Sequence, residues 1–127
     1  MSATRNVTVI DPVQPVLTLI NVFDVSPSRQ QELVDLLVHA TETVMKYRPG
    51  FIAANIHRSE DGTRVVNYAQ WRSRDDFEAM LQDPSAIPHM RAVGEMANAE
   101  PMLFEIVHVR SCAPSGSPDA SLSPPVQ

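Results

Sequence analysis

One predicted strand carries an amide, a small residue and an indole in alternation. In residues 65–71, which read Val-Val-Asn-Tyr-Ala-Gln-Trp, side chains two positions apart share a face of the strand. Asn67, Ala69 and Trp71 therefore lie side by side, and the small Ala69 leaves a gap between a hydrogen-bonding group and a flat aromatic wall. Such a gap suits a planar ligand. The alternative is that Trp71 is a core residue and Asn67 an edge residue, because a buried Trp needs no function.

A second asparagine, Asn21, interrupts an otherwise apolar strand-like segment, residues 16–23. A buried amide that lacks a hydrogen-bond partner costs about 1 to 3 kcal/mol. Asn21 therefore either has a structural partner or faces a polar cavity. Because Asn67 poses the same choice in another strand, the two asparagines together favour a cavity.

Two histidines are candidate proton carriers, because an imidazole exchanges protons near neutral pH. His57 lies in the hairpin that should pair with the strand of the amide and the indole, and simple alternation places it on the face of Phe51. His89 and Arg91 lie before the last helical stretch, where a lid could form over the helical face of the sheet. Packing or surface exposure is the alternative for both histidines. The other two are interpreted as structural residues, namely His39 and His108.

Composition and charge restrict the class of protein. The 127 residues include 15 acidic and 10 basic side chains, which gives a formal net charge of −5. A surface with that field repels phosphate backbones, so a nucleic-acid partner is not expected. No apolar stretch approaches the length of a membrane span, and the N-terminus lacks the features of a signal peptide. We therefore expect a single cytoplasmic domain.

The common motifs for metals, cofactors and nucleophiles are missing from the sequence. The single cysteine, Cys112, has no partner for a disulfide and no neighbour at metal-ligand spacing. The sequence also lacks paired histidines at helical spacing, a glycine-rich phosphate loop and a Gly-x-Ser-x-Gly elbow. We expect neither a bound metal nor a dinucleotide or flavin of the Rossmann type.

The elements that must position these residues lie within residues 15–110, which we predict to be the domain. Residues 1–14 are interpreted as an N-terminal extension, in which residues 7–10 could add a short strand. Residues 111–127 are rich in Ser and Pro and are interpreted as a C-terminal tail. Four segments have the length and the composition of strands: residues 16–23, 51–58, 63–71 and 102–109.

The first helix is predicted to begin at Ser26, which supplies a capping hydroxyl, with Pro27 at the first helical position. Apolar residues then recur at helical spacing, so one side of the helix faces a core. The pair Pro49 and Gly50 ends the helix. The apolar side comprises Leu33, Leu36, Leu37, Ala40, Val44 and Tyr47.

The second helical region is predicted in two pieces. Ser73 and Asp76 form a capping box that opens the first piece, which breaks at residues 83–84. The second piece is predicted to continue through Met96 and Ala97 and to end at residues 100–101. Between the second and third strands, residues 59–62 form a hairpin turn in which Asp-Gly supplies the positive φ.

The resulting order of elements, β-α-β-β-α-β, is that of an α+β protein with a ferredoxin-like split βαβ fold and an antiparallel sheet. Helices cover one face of such a sheet. The first and last predicted strands are apolar on both faces, so another layer must cover the second face. The sheet of a second copy is the simplest cover. We therefore predict a homodimer packed sheet to sheet, as in a dimeric α+β barrel.

The block of residues 61–73, together with Asp76 and Phe77, resembles the antibiotic biosynthesis monooxygenase family. Its most recognisable part is the run Tyr-Ala-Gln-Trp-x-Ser followed by Phe. The similarity covers about residues 16–110 and leaves out both ends of the chain. Within the family, the sequence looks most like the cofactor-independent anthrone oxygenases of aromatic polyketide pathways.

This resemblance implies an activity and a set of site residues. The activity is oxidation of a small polycyclic aromatic substrate of anthrone type to a quinone, with O₂ as co-substrate and no cofactor. Asn67 and Asn21 would stabilise the enolate and carbonyl oxygens, and Trp71 would stack on the substrate. His57 would accept the proton, and Arg91 would favour the anion. Further substrate-binding positions are His89, Phe77 and Ala69.

One departure and two alternatives accompany this interpretation. Phe77 stands where one type of member has a Tyr, so a proton relay through a phenol is absent at this position. The haem-degrading branch of the family uses a first-strand Asn, the same Trp and a later His, for which Asn21, Trp71 and His89 are available. There, Pro88 is expected to disfavour helical geometry just before His89. The other alternative is a dimer that binds a small ligand without catalysis.

Overall fold

The computed structural model describes residues 5–112 and contains one four-stranded antiparallel sheet with helices on one face. The elements are β1 Leu17–Val25, α1 Gln30–Thr43, β2 Phe51–Arg58, β3 Arg64–Trp71, α2 Arg74–Leu81, α3 Ile87–Gly94 and β4 Ala97–Phe104. The strand order is β2-β3-β1-β4, so the predicted ferredoxin-like α+β fold is confirmed. Within residues 5–112, none of the helices has the length and hydrophobicity of a membrane span.

The core lies between the helices and one face of the sheet. Because strand side chains alternate between faces, the odd-numbered residues of β1 and β3 point toward the helices. One cluster surrounds Trp71 and includes Leu19 and Phe77. The other surrounds Leu33 and Val65, both of which are fully buried. The central pair of strands therefore supplies both the core and the surface beneath the helices.

The first helix differs from its prediction at both ends. Ser26 precedes a 3₁₀ turn, Pro27–Arg29, and its hydroxyl lies 3.1 Å from the hydroxyl of Ser28 instead of capping the helix. At the other end α1 stops at Thr43, and a second 3₁₀ turn, Met45–Tyr47, follows. The tighter turn changes the helical phase. As a result Tyr47, predicted on the buried stripe, is 65% exposed.

The hairpin between β2 and β3 forms as predicted. Gly62 has a φ of +83°, and the carboxylate of Asp61 accepts hydrogen bonds from Ser59 and Thr63. The hydrogen bond from the Ser59 hydroxyl, followed by those from Thr63, lowers the pKa of Asp61 to about 2. Because the folded pKa lies below the ordinary value of 3.8, this contribution to stability is present above pH 4 and is lost as the pH falls toward 2.

A register irregularity in β2 changes which residues share a face. Phe51 lies opposite Trp71, but the register shifts between Phe51 and Ala53, and Ala54 then lies opposite Ala69. One extra residue in a strand reverses the facing of everything beyond it. The expectation that His57 shares a face with Phe51 was therefore wrong.

The last strand begins and ends earlier than predicted. Strand β4 is Ala97–Phe104, whereas Met96 and Ala97 were assigned to a helix and residues 102–109 to the strand. Pro101, interpreted as a helix breaker, lies inside β4 opposite Asn21. A proline is compatible with an edge strand, where its missing N–H faces away from the ladder. Strand β4 is at an edge of this sheet. A proline there rules out a helix but not a strand.

The N-terminal segment, residues 5–16, lies against the open face of the sheet, which is the face opposite the helices. It forms no strand. The hydroxyl of Thr8 donates to the side-chain oxygen of Asn55 at 2.8 Å, and Gln70 donates to the carbonyl of Val9 at 3.0 Å. Gln70 is a buried side chain, so these contacts cover the sheet over β2 and β3. The strand suggested for residues 7–10 is absent. Of the predicted C-terminal tail, residues 113–127 lie outside the described residues.

A close backbone approach joins the start of α2 to the loop before β2. Ser73 caps α2 through the N–H of Asp76, as predicted, and the Asp76 carboxylate also accepts two hydrogen bonds from Arg72. The hydrogen bonds from Arg72, and then from Ser73, lower the pKa of Asp76. Gly50 has a φ of +81°, and its Cα faces this carboxylate so closely that a Cβ would overlap it.

Substitution of Gly50 by Ala should destabilise the fold more than the same change at Gly62. Both glycines have positive φ, which costs an L residue about 1 to 2 kcal/mol. A Cβ at Gly62 would meet Pro27 at an ordinary 3.5 Å, whereas one at Gly50 would displace the capped Asp76. We expect Gly50→Ala to lower the free energy of unfolding by at least about 1 kcal/mol more than Gly62→Ala. Urea denaturation of both variants tests this, and equal losses would contradict the close approach.

Candidate functional site

A cavity of about 530 Å³ lies between the helices and the sheet. Its floor is formed by the odd-numbered residues of β1 and β3, and its roof by α1, α2 and α3. The lining is mostly apolar, with a few polar groups, which is the usual composition of a small-molecule site. The polar members are Asn21, Thr41, Asn67, His89 and Asn98.

Asn21 and Asn67 form the polar centre of the floor. They are direct register partners across the antiparallel β1–β3 ladder. Both side-chain oxygens are buried and, within residues 5–112, neither has a hydrogen-bond partner. Each unpaired buried acceptor costs about 1 to 3 kcal/mol. Asn21 and Asn67 both line the cavity, so their amides can form hydrogen bonds with a polar ligand.

Three aromatic rings form one wall of the cavity. Trp71 is 2% exposed and packs edge to face between Phe51, at a centroid distance of 5.5 Å, and Phe77, at 6.1 Å. Ala69 lies between Trp71 and Asn67 on the cavity floor. The predicted gap between amide and indole is therefore present. Trp71 also belongs to the hydrophobic core, as its alternative interpretation expected.

His89 is the one ionisable side chain among the described lining residues. It is half-buried on α3, and its ring lies 5.7 Å from that of His39 on α1, between centroids, at an angle of 54°. Pro88 was expected to disfavour helix at Ile87, but α3 begins at Ile87 and Pro88 lies in its first turn. A proline there loses no hydrogen bond, because the first N–H groups of a helix lack intrahelical partners.

Two predicted site residues lie away from the cavity. The β2 register shift places His57 on the opposite side of the sheet from Ala54, where it is exposed, and its Nδ1 lies 3.3 Å from the carbonyl of Asn55. Arg91 is exposed on α3 and does not line the cavity. The structure thus brings together six of the eight candidates: Asn21, Asn67, Ala69, Trp71, Phe77 and His89.

Sequence reasoning missed the helical part of the lining and the mouth. Thr41 and Met45 line the roof of the cavity. No sequence signal marked Thr41, whose hydroxyl donates to the carbonyl of Leu37 within α1. The lining residues that are themselves exposed mark the opening, which lies along the edge strand β4 and the ends of α2 and α3. They are Leu81, Gly94, Asn98, Ala99 and Pro101.

An ion pair fixes the loop between α2 and α3 above the cavity. Asp83 pairs with Arg48, at the end of the second 3₁₀ turn, and accepts hydrogen bonds from the N–H and the hydroxyl of Ser85. The bonds from Ser85, and then from Arg48, lower the pKa of Asp83. Ala86, which follows in this loop, is fully buried in the Trp71 cluster. The start of α3, and with it His89, is therefore anchored.

No group of three or more His, Cys, Asp or Glu side chains that could hold a metal ion occurs within residues 5–112. The polar groups of the cavity are neutral amides, a hydroxyl and one imidazole. These groups can form hydrogen bonds with a planar oxygenated molecule and can accept one proton.

Comparison with known proteins identifies relatives over most of the chain. Residues 16–94 match the family model described as antibiotic biosynthesis monooxygenase. Tetracenomycin-F1 monooxygenase from Streptomyces glaucescens is 46% identical over 99 residues, which is 78% of this chain and 88% of that protein. These matches confirm the family resemblance seen in the sequence.

Two solved structures resemble this chain in both fold and sequence. The monooxygenase ActVA-Orf6 of Streptomyces coelicolor, in complex with nanaomycin D, is 29% identical, with a TM-score of 0.66 over 80% of this chain and 96% of that one. SnoaB, a cofactor-independent oxygenase from Streptomyces nogalater, is 25% identical, with a TM-score of 0.62 over 79% of this chain and 98% of that one.

Replacement of Asn21 by the nearly isosteric Leu should stabilise the protein. The change removes a buried acceptor that has no partner, so the free energy of unfolding should rise by about 1 kcal/mol. Asn55 is the matched control, because it accepts a hydrogen bond from Thr8 and donates one to the carbonyl of Tyr68. Asn55→Leu should lower stability by a similar amount. Denaturant unfolding of both variants tests this, and destabilisation by Asn21→Leu would show that its amide has a structural partner.

Proposed function

The chain belongs to the antibiotic biosynthesis monooxygenase family, and we propose that it oxidises a polycyclic aromatic polyketide of anthrone type to a quinone with O₂, without a cofactor. The observation that carries this proposal is the pair Asn21 and Asn67, whose side-chain oxygens have no partner among the described residues, beside Trp71 in a mostly apolar cavity. The relative named for action on tetracenomycin F1 and the neighbour bound to nanaomycin D support the substrate class. The neighbour described as cofactor-independent supports the absence of a cofactor.

The substrate itself supplies the reducing power in this reaction. Loss of a proton from the ring CH₂ of an anthrone gives an enolate delocalised over the aromatic system, and this electron-rich anion passes one electron to O₂. Recombination of the two radicals forms a carbon–oxygen bond, and protonation gives a hydroperoxide. Loss of water then converts the original CH₂ into a carbonyl. The balance is one substrate and one O₂ giving one quinone and one water.

The cavity provides the binding that this chemistry needs. The amide NH₂ groups of Asn21 and Asn67 donate to the enolate and carbonyl oxygens of the substrate. Preorganised donors in a site that excludes water stabilise a developing anion more than donors in solution do. The indole of Trp71 gives the substrate plane a surface on which to stack.

His89 takes the role of proton acceptor in this proposal. His57 was assigned that role on the sequence, but it lies on the opposite side of the sheet. A general base must come within hydrogen-bond reach of the proton that it removes, or within reach of one bridging water. Among the described lining residues, His89 is the one imidazole, which supports this assignment. Arg91, outside the cavity, has no part in the proposal.

A homodimer remains part of the proposal. The N-terminal segment covers the open face over β2 and β3, while Met102 and Phe104 on β4 remain 57% and 40% exposed. Several apolar side chains of the segment itself also face outward. They are Val7, Val9, Ile10 and Val13. Several exposed apolar side chains on one side of a domain are typical of an interface, and a second copy is the occupant that we propose.

The function is tested directly by oxygen uptake. The purified protein is mixed with a dihydroxyanthrone in air-saturated buffer, and we expect one O₂ consumed for each quinone formed, with no metal, flavin or haem added. Binding without oxygen consumption would favour the ligand-binding alternative. Turnover that requires added haem and a reductant, with loss of the haem absorbance, would favour the haem-degrading alternative.

Replacement of Asn67 by Ala should lower kcat by on the order of 100-fold, equivalent to about 3 kcal/mol, and leave KM nearly unchanged. The reason is that Asn67 donates to an oxygen that becomes negatively charged only along the reaction path. Steady-state oxygen uptake measures both constants. Asn55→Ala, on the opposite face of the sheet, is the control and should retain kcat. Normal turnover by a folded Asn67→Ala protein would end this assignment.

Trp71→Phe should lower kcat while keeping most of the aromatic wall. The change removes the indole N–H and shortens the stacking surface, and we expect a loss of stability of about 1 to 2 kcal/mol. Thermal unfolding, measured beside oxygen uptake, separates the two effects. If the melting temperature falls and turnover per folded molecule does not, Trp71 is a core residue only.

The dimer prediction is tested by light scattering at micromolar concentration. The proposed interface is of the obligate kind, which commonly buries more than about 2,000 Å² in total. The wild type should therefore be a dimer at this concentration. Phe104→Lys places a charge on the exposed face of β4 and should shift the protein toward monomer. Val38→Lys, at a comparably exposed apolar position on α1, is the control. A monodisperse wild-type monomer would contradict the interface.

A further inference from the structure

We propose that His39 is a positioning residue that relays the substrate proton from His89 to solvent. This inference rests on the proposed function, because it describes how the same cavity exchanges with solvent the proton that its reaction first removes and later needs for the peroxide. It concerns a pair of side chains on two different helices. His39 belongs to α1 and His89 to α3.

The geometry of the pair carries the inference. The two ring centroids are 5.7 Å apart and the ring planes are inclined by 54°. A centroid separation of 5.7 Å leaves room for one water between the two rings, and one bridging water is sufficient for proton transfer. His89 is half-buried and lines the cavity, whereas His39 is exposed. The pair therefore spans the wall between cavity and solvent.

The surroundings of His89 explain why such an exit is useful. Its neighbours in the cavity roof are apolar, among them Met90, Val93 and Met80. Apolar side chains neither accept nor donate protons, so they offer His89 no path to solvent. No carboxylate or other base lines the cavity among the described residues. His39 is the titratable group whose ring is seen next to that of His89.

The proton moves in two steps. In the first, the ring C–H bond of the substrate breaks, its electron pair stays on the substrate as the enolate, and an N–H bond forms on His89. In the second, the N–H bond at the other ring nitrogen of His89 breaks and its proton passes to His39, from which it leaves to water or buffer. One proton later returns from solvent to the peroxide oxygen, so the complete turnover releases none. His89 is left neutral, with its proton on the nitrogen that faced the substrate. Rotation or re-exchange of that proton then restores the starting tautomer.

His39 lies on the outer surface, so its substitution should have little effect on the stability of the fold. Its side chain is exposed, and its helical neighbours on either side serve different purposes: Ala40 is buried in the core, and Val38 is exposed. Removal of the imidazole therefore costs little packing. A change in turnover in a His39 variant would accordingly report on the proton path.

The test compares His39→Gln with His108→Gln, which removes another exposed histidine, one that does not line the cavity. In dilute buffer, we expect His39→Gln to lower kcat by on the order of tenfold with KM unchanged. Added imidazole should restore kcat, because a small base in solution can take the proton directly. His108→Gln should match the wild type at every buffer concentration. If His39→Gln keeps the wild-type kcat and buffer dependence, the relay is overturned.

A second measurement separates failure of the relay from failure of the proposed function. The ring signals of His89 are followed by NMR through a pH titration in the absence of substrate. If the two imidazoles exchange protons, His39→Gln changes the titration of the His89 signals and His108→Gln leaves it unchanged. An inactive wild type that still shows this coupling would refute the proposed substrate and retain the relay. An unchanged His89 titration in His39→Gln would overturn the relay whatever the substrate is.

Discussion

The pairing of Asn21 with Asn67 across the two central strands is the constraint on which the site depends. Register places the two amides opposite each other, and the alternation of both strands points them at the helices. Their unsatisfied oxygens are a cost to stability, which the two apolar clusters on either side offset. A site that is strained or unsatisfied when empty is common where function requires a preorganised environment.

The same ladder explains how a small sheet holds a cavity of about 530 Å³. Large side chains fill both ends, with Trp71 at one end and the fully buried Val65 at the other. Between them Ala69 and the two asparagines leave space that the helices bridge without filling. The anchored loop at Asp83 and the close approach at Gly50 hold the helical layer at this distance. The cavity is therefore a consequence of side-chain size along one pair of strands.

Sequence reasoning was most successful where a local rule determines the outcome. The two-residue alternation of β3 placed Asn67, Ala69 and Trp71 on one face, and the Asp-Gly turn and the Ser73 cap formed as predicted. It failed where the outcome depends on pairing between distant segments. Alternation cannot reveal the register shift after Phe51, which moved His57 to the opposite side of the sheet. Nor can the helix-breaking tendency of Pro101 indicate that its strand lies at an edge.

The N-terminal segment has a consequence for where this protein can be shortened. Its composition and the match over residues 16–94 both suggest that the folded unit starts near residue 15. However, the buried Gln70 donates to the carbonyl of Val9, and Asn55 accepts from Thr8. A chain that began at residue 15 would leave both amides of the outer sheet face without these partners, on the reverse side of the strands that form the cavity. Hydrogen bonding therefore extends the folded unit at least to Thr8, whereas sequence similarity begins at residue 16.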